Sequence, residues 1–474
     1  MLLAATEVPA GRSVRPAGRH LAFGADPSSQ MSVAWQVPAR VRGPFMRIGE
    51  SPSDLSQQIA AEVRTIASLR VDAGNASPAA SGPAVEQYYL HAAAERLQPG
   101  RTYYYSVGHR GNDDPQASWT GTFTTAPSDR RPFTFTAFGD QGVSPRAARA
   151  HALIRAQHPA FHLHAGDISY AESSGNGLIT DSYDSRVWDS FFTQIEPAAA
   201  RIPWQVAVGN HEMEAWYSAD GYGAQHARFD FPGHAASSTP PTYYSLRYGN
   251  VGLVSLDAND VSNEIPANRG YSGGAQTRWL ADTLAALRGD PDVDFIVAYF
   301  HHCGYCTCTS HGSEGGVREH WVPLFDQHGV DLVINGHNHI FERTDPLRGG
   351  SSGGPAPAGS TIRPASQGTT YITAGSGGIG LYEFPAPDSY AGQVADSDAL
   401  TSHVHPADGA AVRETATWSR VRYTGYCLLA VDSEPGQQPG ADSTLIVRGL
   451  ADDGTEIDRV ILTRPASILP AADC

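Results

Sequence analysis

Gly166-Asp167-Ile168-Ser169-Tyr170-Ala171-Glu172 follows directly on the run Phe161 to Ala165. That run predicts a strand, and a strand ending in Gly and then Asp places a carboxylate at its carboxyl end, the ligand-binding edge of an α/β sheet. Tyr170 stands three residues beyond Asp167, so a turn can bring carboxylate and phenol to one side of the chain. Two anionic oxygens so placed suit a hard trivalent cation. Taken alone, the stretch favours the plainer reading, a strand-to-loop junction with a packed tyrosine. Four other stretches tip the balance.

Phe133 to Phe138 runs into Gly139-Asp140, Trp204 to Val208 into Gly209-Asn210-His211-Glu212, Val330 to Asn335 into Gly336-His337-Asn338-His339, and Phe295 to Phe300 straight into His301-His302. Each is a predicted strand that ends in metal-ligand chemistry. A single Gly-Asp carries little information, but the ordered set is specific. Between the strands, Ser144-Pro145 reads as the cap and first residue of a helix continuing through Arg149 to Gln157, and helices are expected near Ala275 to Arg288 and Val317 to His328. Strands alternating with helices predict a mixed or parallel sheet covered on both faces. The segment from the site to Ala200 reads as a loop-rich excursion, and Arg348 to Gln367, rich in Gly, Ser, Pro and Ala, as a mobile surface loop. Strand-like runs near Tyr426 to Val431, Ser443 to Val447 and Val460 to Leu462 predict a terminal β-layer.

The N-terminal part follows another period. Met31, Val33, Trp35 and Val37 alternate with smaller or polar residues, as in a half-buried strand. Leu97-Gln98-Pro99-Gly100 is a turn feeding the aromatic strand Tyr103-Tyr104-Tyr105-Ser106-Val107, and Gly121 to Thr125 is a last short strand. A small β-sandwich results, and it resembles a fibronectin type III-like module. Ala126 to Pro132 is a polar linker with two prolines. The expected division is an arm over 1–18, the sandwich over 19–126, a linker over 127–132, a catalytic domain with its β-layer over 133–464, and a tail over 465–474.

The ordered motifs resemble the purple acid phosphatases, within the calcineurin-like metallophosphoesterases, over nearly the whole chain. The resemblance rests on the sandwich in front, GDISYAE, GNHE, GHNHIFER from Gly336 to Arg343, and the strand and glycines from Thr370 to Gly378. It implies an N-terminal fibronectin type III-like β-sandwich followed by an α/β metallophosphoesterase domain, a β-sandwich core flanked by helices. It also implies a binuclear centre, Fe(III) plus a divalent zinc, manganese or iron ion. Asp140, Tyr170 and His339 would hold the ferric ion, Asp167 would bridge, and Asn210, His301 and His337 would bind the divalent one. His211 and His311 would contact phosphate and assist the leaving group, the alternatives being a supporting role for His211 and a solvated loop position for His311. Extended neighbours point oppositely, so His302 is expected away from the metal, and His164 in the core or just behind the site. Glu212 and Arg343 are expected to orient loops.

The chemistry of the donors agrees: phenolate and carboxylate suit a trivalent cation, while imidazoles and an amide suit a borderline divalent one. A trivalent and a divalent ion set against Asp140, Asp167, Tyr170 and a bridging hydroxide leave one residual positive charge. That is enough to hold a phosphate ester in an otherwise acidic chain. The expected activity is hydrolysis of phosphate monoesters by a metal-bound hydroxide, with diester hydrolysis on the same centre, or a binding module on an inactive scaffold, as alternatives.

Composition bounds the rest. A chain of 474 residues is long enough for two or three domains. The net charge of -16 argues against a nucleic-acid or anionic-membrane surface, leaving a small-molecule ester as the expected partner. No apolar run is long enough to span a membrane. No signal peptide is seen, so export to the medium or cell envelope is implied by the resemblance alone; composition leaves oligomeric state open. Five cysteines include Cys303, Cys306 and Cys308 in one loop. Three ligands are one short of a structural zinc site, so a disulfide between two of them, or free thiols, is expected in a loop that shapes the substrate mouth.

Overall fold

The computed structural model describes residues 14–74, 85–112, 120–232, 242–390, 399–406 and 408–467. The N-terminal unit is a sandwich of two four-stranded antiparallel sheets. One runs in the order Ala17–Phe23, Met31–Val37, Val85–Ala94, Glu62–Ser68, and the other Gln57–Ala60, Phe45–Gly49, Thr102–Gly108, Thr120–Thr124. The first strand already includes Ala17 and Gly18 of the expected arm; residues 1–13 and 468–474 lie outside the described residues.

Two seven-stranded sheets form the catalytic unit. The first orders Trp204–Ala207, Phe161–Ala165, Phe133–Phe138, Cys427–Glu434, Asp442–Ala451, Glu456–Pro465 and Thr361–Ile362. The second orders Tyr244–Tyr248, Val251–Ser255, Phe295–Phe300, Leu332–Asn335, Thr370–Ala374, Phe341–Thr344 and Ser419–Tyr423. In the first sheet Phe138 pairs with His164 and His164 with Val206, all parallel. In the second, Phe300 pairs with Asn335 and Asn335 with Thr373, again parallel. The five strands therefore end level within their sheets, and the loops leaving them converge on one edge.

Three expectations need correction. The excursion to Ala200 contains a 14-residue helix, Arg186–Ala199. Its buried Trp188, Phe191, Phe192, Ile195 and Ala199 recur at helical spacing. Residues 348–367 are pinned rather than mobile. Leu347–Arg348 pairs with Ser351–Ser352, Thr361–Ile362 adds an edge strand beside Glu456–Pro465, and buried Ala356 accepts a hydrogen bond from Arg343 Nη1 at 2.9 Å. The helix expected over 317–328 is also broken, into Gly315–His320 and Val322–His328, at Trp321.

The sandwich is docked on the catalytic unit. Tyr105 donates its hydroxyl to Ala200 O (2.9 Å), Phe23 N donates to Gln205 Oε1 (2.7 Å), and the His20 ring stacks on Phe192 at 4.6 Å.

Candidate metal centre

Each strand end delivers its side chain through a tight turn. Asp140, Asp167, Tyr170 and His337 have φ of 59°, 52°, 58° and 69°. Left-handed backbone in non-glycine residues costs on the order of 1–3 kcal/mol each and gathers at functional sites. The glycines before the polar residues are required by close approach. A side chain on Gly209 would overlap the Asp167 carboxylate, and one on Gly336 would overlap that of Asp140.

The Glu212 carboxylate holds two of the turns together, accepting the backbone N–H of Asp167 (2.7 Å), Ile168 (2.8 Å) and Gly209 (2.8 Å). Arg343 donates to the Asp458 carboxylate and, through Nη1, to Ala356 O in the loop over 348–367. Glu172 accepts the N–H groups of Ser174 and Gly175, and the Gly175 carbonyl in turn accepts Asn210 Nδ2 at 3.2 Å. That contact uses the amide's donor end and leaves Asn210 Oδ1 free.

Backbone carbonyls fix two imidazoles in the same way. His301 Nδ1 donates to Ala165 O (2.9 Å) and His339 Nδ1 to Gly380 O (2.6 Å), because a carbonyl can only accept. Each Nε2 is then the ring nitrogen turned toward the carboxylates. His301 Nε2 lies 3.0 Å from Asp167 Oδ2, and His339 Nε2 3.4 Å from Asp140 Oδ1. Tyr170 donates to Asp140 Oδ1 at 3.1 Å, with His339 Nε2 3.0 Å away. Asp140 Oδ2 accepts the His337 N–H at 2.8 Å.

All nine residues expected at the site are thus brought to one edge. His211 donates its backbone N–H to Asp167 Oδ1 (3.0 Å) and its Nδ1 to Glu172 O (2.6 Å), with its ring against Tyr170 at 4.3 Å. His311 packs on the His337 ring at 4.1 Å. His302 is buried behind His337, rings 4.3 Å apart, and His164 packs between Phe138 and Trp204. Cys303, Cys306 and Cys308 are free, buried thiols, clustered with Ile340, Tyr382 and Phe384; Cys474 lies outside the described residues.

The electrostatics are those of a site built for cations. Burial opposes charge on His301, but Asp167 and Asp140 carry it up to about 10. Burial, then Asp140 and Asp167, hold the Tyr170 phenol well above its ordinary range. Asn210 Oδ1 and His337 Nε2 are buried without a hydrogen-bond partner. Donor atoms of Asp167, His301 and His337 all lie within 4.8 Å of one another, close enough to share an ion. Buried donors converging from three strand ends fit a metal.

Two residues at the mouth were not read from the sequence. Tyr382 stacks on His339 at 3.9 Å. Glu264 places Oε2 4.0 Å from His311 Nδ1 and 3.9 Å from His337 Nε2. Both sit on loops where no fixed spacing ties them to a strand end, so the sequence offered no signal beyond residue type.

Comparison with known proteins accords with this geometry. Residues 16–125 match the family model for the purple acid phosphatase N-terminal domain, and residues 133–341 that for the calcineurin-like phosphoesterases. An uncharacterised protein of Mycobacterium tuberculosis is 32% identical over 96% of this chain and 89% of its own. Purple acid phosphatase 18 of Arabidopsis thaliana is 26% identical over 78% of this chain and 74% of its own. The purple acid phosphatase isolated from yellow lupin seeds shares the fold with a TM-score of 0.70 at 20% identity, covering 97% of this chain and 78% of that one. With both domain models matched in order and a relative 32% identical over 96% of this chain, the chain belongs to the purple acid phosphatases and is a phosphoesterase, a hydrolase of the calcineurin-like class.

Proposed function

We propose that the enzyme hydrolyses phosphate monoesters at an Fe(III)–divalent centre, the divalent ion being zinc, manganese or iron. Asp140, Tyr170 and His339 would hold the ferric ion, Asn210, His301 and His337 the divalent ion, and Asp167 would serve both. The observation that carries this reading is the convergence of two buried, unpartnered atoms, Asn210 Oδ1 and His337 Nε2, with His301 Nε2, which lies 3.0 Å from Asp167 Oδ2, beside two carboxylates and a phenol. When bound, the two ions supply positive charge for the phosphoryl oxygens and lower the pKa of a water, giving a nucleophile at mild pH.

The chain's own residues orient and discharge the ester. His211 is fixed through Nδ1, which leaves Nε2 facing the centre, 3.8 Å from Asp167 Oδ2. With Nδ1 already donating to Glu172 O, Nε2 is a donor to a phosphoryl oxygen in the imidazolium form, which carries a proton on each nitrogen. His311, at the mouth, is lowered to about 4 by burial and by His339. It therefore serves near neutrality as a neutral hydrogen-bond donor to the leaving oxygen, and as a proton donor only in acid. Export to the medium or cell envelope is part of this proposal and rests on resemblance to the family; among the described residues no helix is long and apolar enough to cross a membrane.

The test is the pair of kcat/KM values for an aryl phosphate monoester and the matching diester, on protein whose iron and divalent metal have been quantified. A monoester preference is expected. A diester preference would move the substrate class, and activity on neither with both metals bound would end the hydrolytic reading. An Asp167→Ala, His337→Ala double variant that kept both metals would overturn the ligand assignment.

A further inference from the structure

We infer that Glu264, His311 and His337 form an outer divalent-cation position, through which the divalent ion passes from solvent to the buried donors Asp167, His301 and His337. The inference rests on the binuclear reading above and adds a route to it. Two groups of donor atoms in the described structure are compact enough to hold an ion: Asp167 with His301 and His337, and Glu264 with His311 and His337. His337 belongs to both groups, is buried, and its Nε2 has no hydrogen-bond partner. A ring nitrogen has one lone pair to give, so through Nε2 His337 serves one ion at a time. The two positions are therefore successive places for a single ion, with His337 as the hinge between them.

Exposure orders the two. The inner side chains of His301, Asp167 and His337 are 0%, 2% and 2% exposed, whereas Glu264 and His311 are 26% and 30% exposed. A hydrated divalent ion cannot reach wholly buried donors without shedding its water. A half-exposed carboxylate and imidazole let that water be replaced one ligand at a time.

The structure also holds Glu264 where this requires. Ser262 Oγ accepts its N–H at 3.0 Å. The next residue, Ile265, is fully buried, and its Cγ2 would stand 3.0 Å from any Cβ on Gly177 in the loop that carries Asn210's partner, Gly175. Glu264 is thus anchored against the far wall of the site. Glu314, buried with Oε2 unpartnered, is pushed up to about 8 by burial and then by Glu264, so near neutrality it stays protonated and leaves Glu264 as the carboxylate of the entrance.

The experiment strips the divalent ion from the full-length protein with a chelator and refills it with Co²⁺, following the cobalt visible bands by stopped flow and the final cobalt content by elemental analysis. Glu264→Gln should load at least about tenfold more slowly, the scale of a lost local electrostatic capture step, yet reach the same final cobalt content and spectrum. His311→Asn should slow loading in the same sense, which keeps the test available if either variant folds poorly. Glu314→Gln, which near neutrality removes neither a charge nor a donor of the outer group, should load at the wild-type rate. An unchanged loading rate in both Glu264→Gln and His311→Asn overturns the outer position. Loss of cobalt at equilibrium in Glu264→Gln overturns it too, because Glu264 would then be a resident ligand. If the wild-type protein takes up no cobalt at all, the binuclear reading itself falls, and the inference with it.

Discussion

Under the proposed ligand set, Tyr170 and His301 carry protons that a bound cation would displace. Burial and then Asp140 and Asp167 keep the phenol of Tyr170 protonated far above its ordinary range, and it donates that proton to Asp140. At His301 the two carboxylates outweigh burial and hold the imidazole charged up to about 10. In the metal-free chain an imidazolium therefore stands in for the missing charge. Metal binding needs the deprotonated form of each ligand, so loading releases protons. In a weakly buffered solution at neutral pH, Tyr170→Phe should release one proton fewer than wild type on loading with iron, as read by pH-stat titration. The same variant should lose the visible band that a tyrosinate gives with ferric iron. Equal proton release by the two proteins would remove Tyr170 from the ligand set. The pKa shift and the colour thus test the same atom independently.

At the scale of elements, the helix Arg186–Ala199 joins the two units. Phe192 packs between His20 of the sandwich and Tyr89, Trp188 and Phe229, with ring separations of 4.6 to 6.1 Å. Removing a buried phenyl costs about 3–5 kcal/mol through lost transfer and the cavity left behind. Phe192→Ala should lose that much stability in denaturant unfolding while keeping wild-type iron and divalent content per folded molecule. Loss of metal would mean the interface also shapes the site. The cysteine loop is a second such element. Its three thiols are buried beside Ile340, Tyr382 and Phe384, and Cys303 Sγ donates to Gly336 O at 3.0 Å, just before His337. A thiol reagent should leave Cys303, Cys306, Cys308 and Cys427 unmodified in the native protein and modify all four in denaturant. Modification of any of the three loop thiols in the native protein would show that the loop opens. Strand ends were legible in the sequence because each polar residue follows a run of strand-forming residues, and in most cases a glycine that its neighbours' backbones require. Glu264 and Tyr382 were not, since a loop residue meets its partners only through tertiary folding. The helix at 186–199 had a readable signal in Trp188, Phe191, Phe192 and Ile195. The flanking Ser, Gly and Asp residues and Pro197 in the last turn obscured it.

For the whole molecule, stability against pH is a sum of opposed linkages. Burial lowers His20 and His151 to about 4, and His162 well below its ordinary value. The folded state binds fewer protons than the unfolded state between the unfolded value of 6.5 and those lowered values, so each contribution is full above 6.5 and shrinks as the pH falls. Glu172 and Glu314 work the other way. Burial pushes both up to about 8, so the folded state binds more protons than the unfolded one from 8 down to 4.5, and acid strengthens it over that window. Between 6.5 and 4.5 the two sets cancel in part, and the slope of the wild-type curve identifies neither. A difference does. His151 lies on the helix Pro145–Ala156, buried with its ring 5.7 Å from Trp204 and remote from the metal ligands in sequence. His151→Leu deletes one titration and leaves the others in both proteins, so they cancel on subtraction. The stability of wild type minus that of His151→Leu, from urea unfolding, should be level above pH 6.5 and fall toward pH 4. The fall should approach about 1.4 kcal/mol per pH unit. A level difference across that window would mean that His151 takes up its proton in the folded protein as readily as in the unfolded one, and that the pocket around Trp204 admits water.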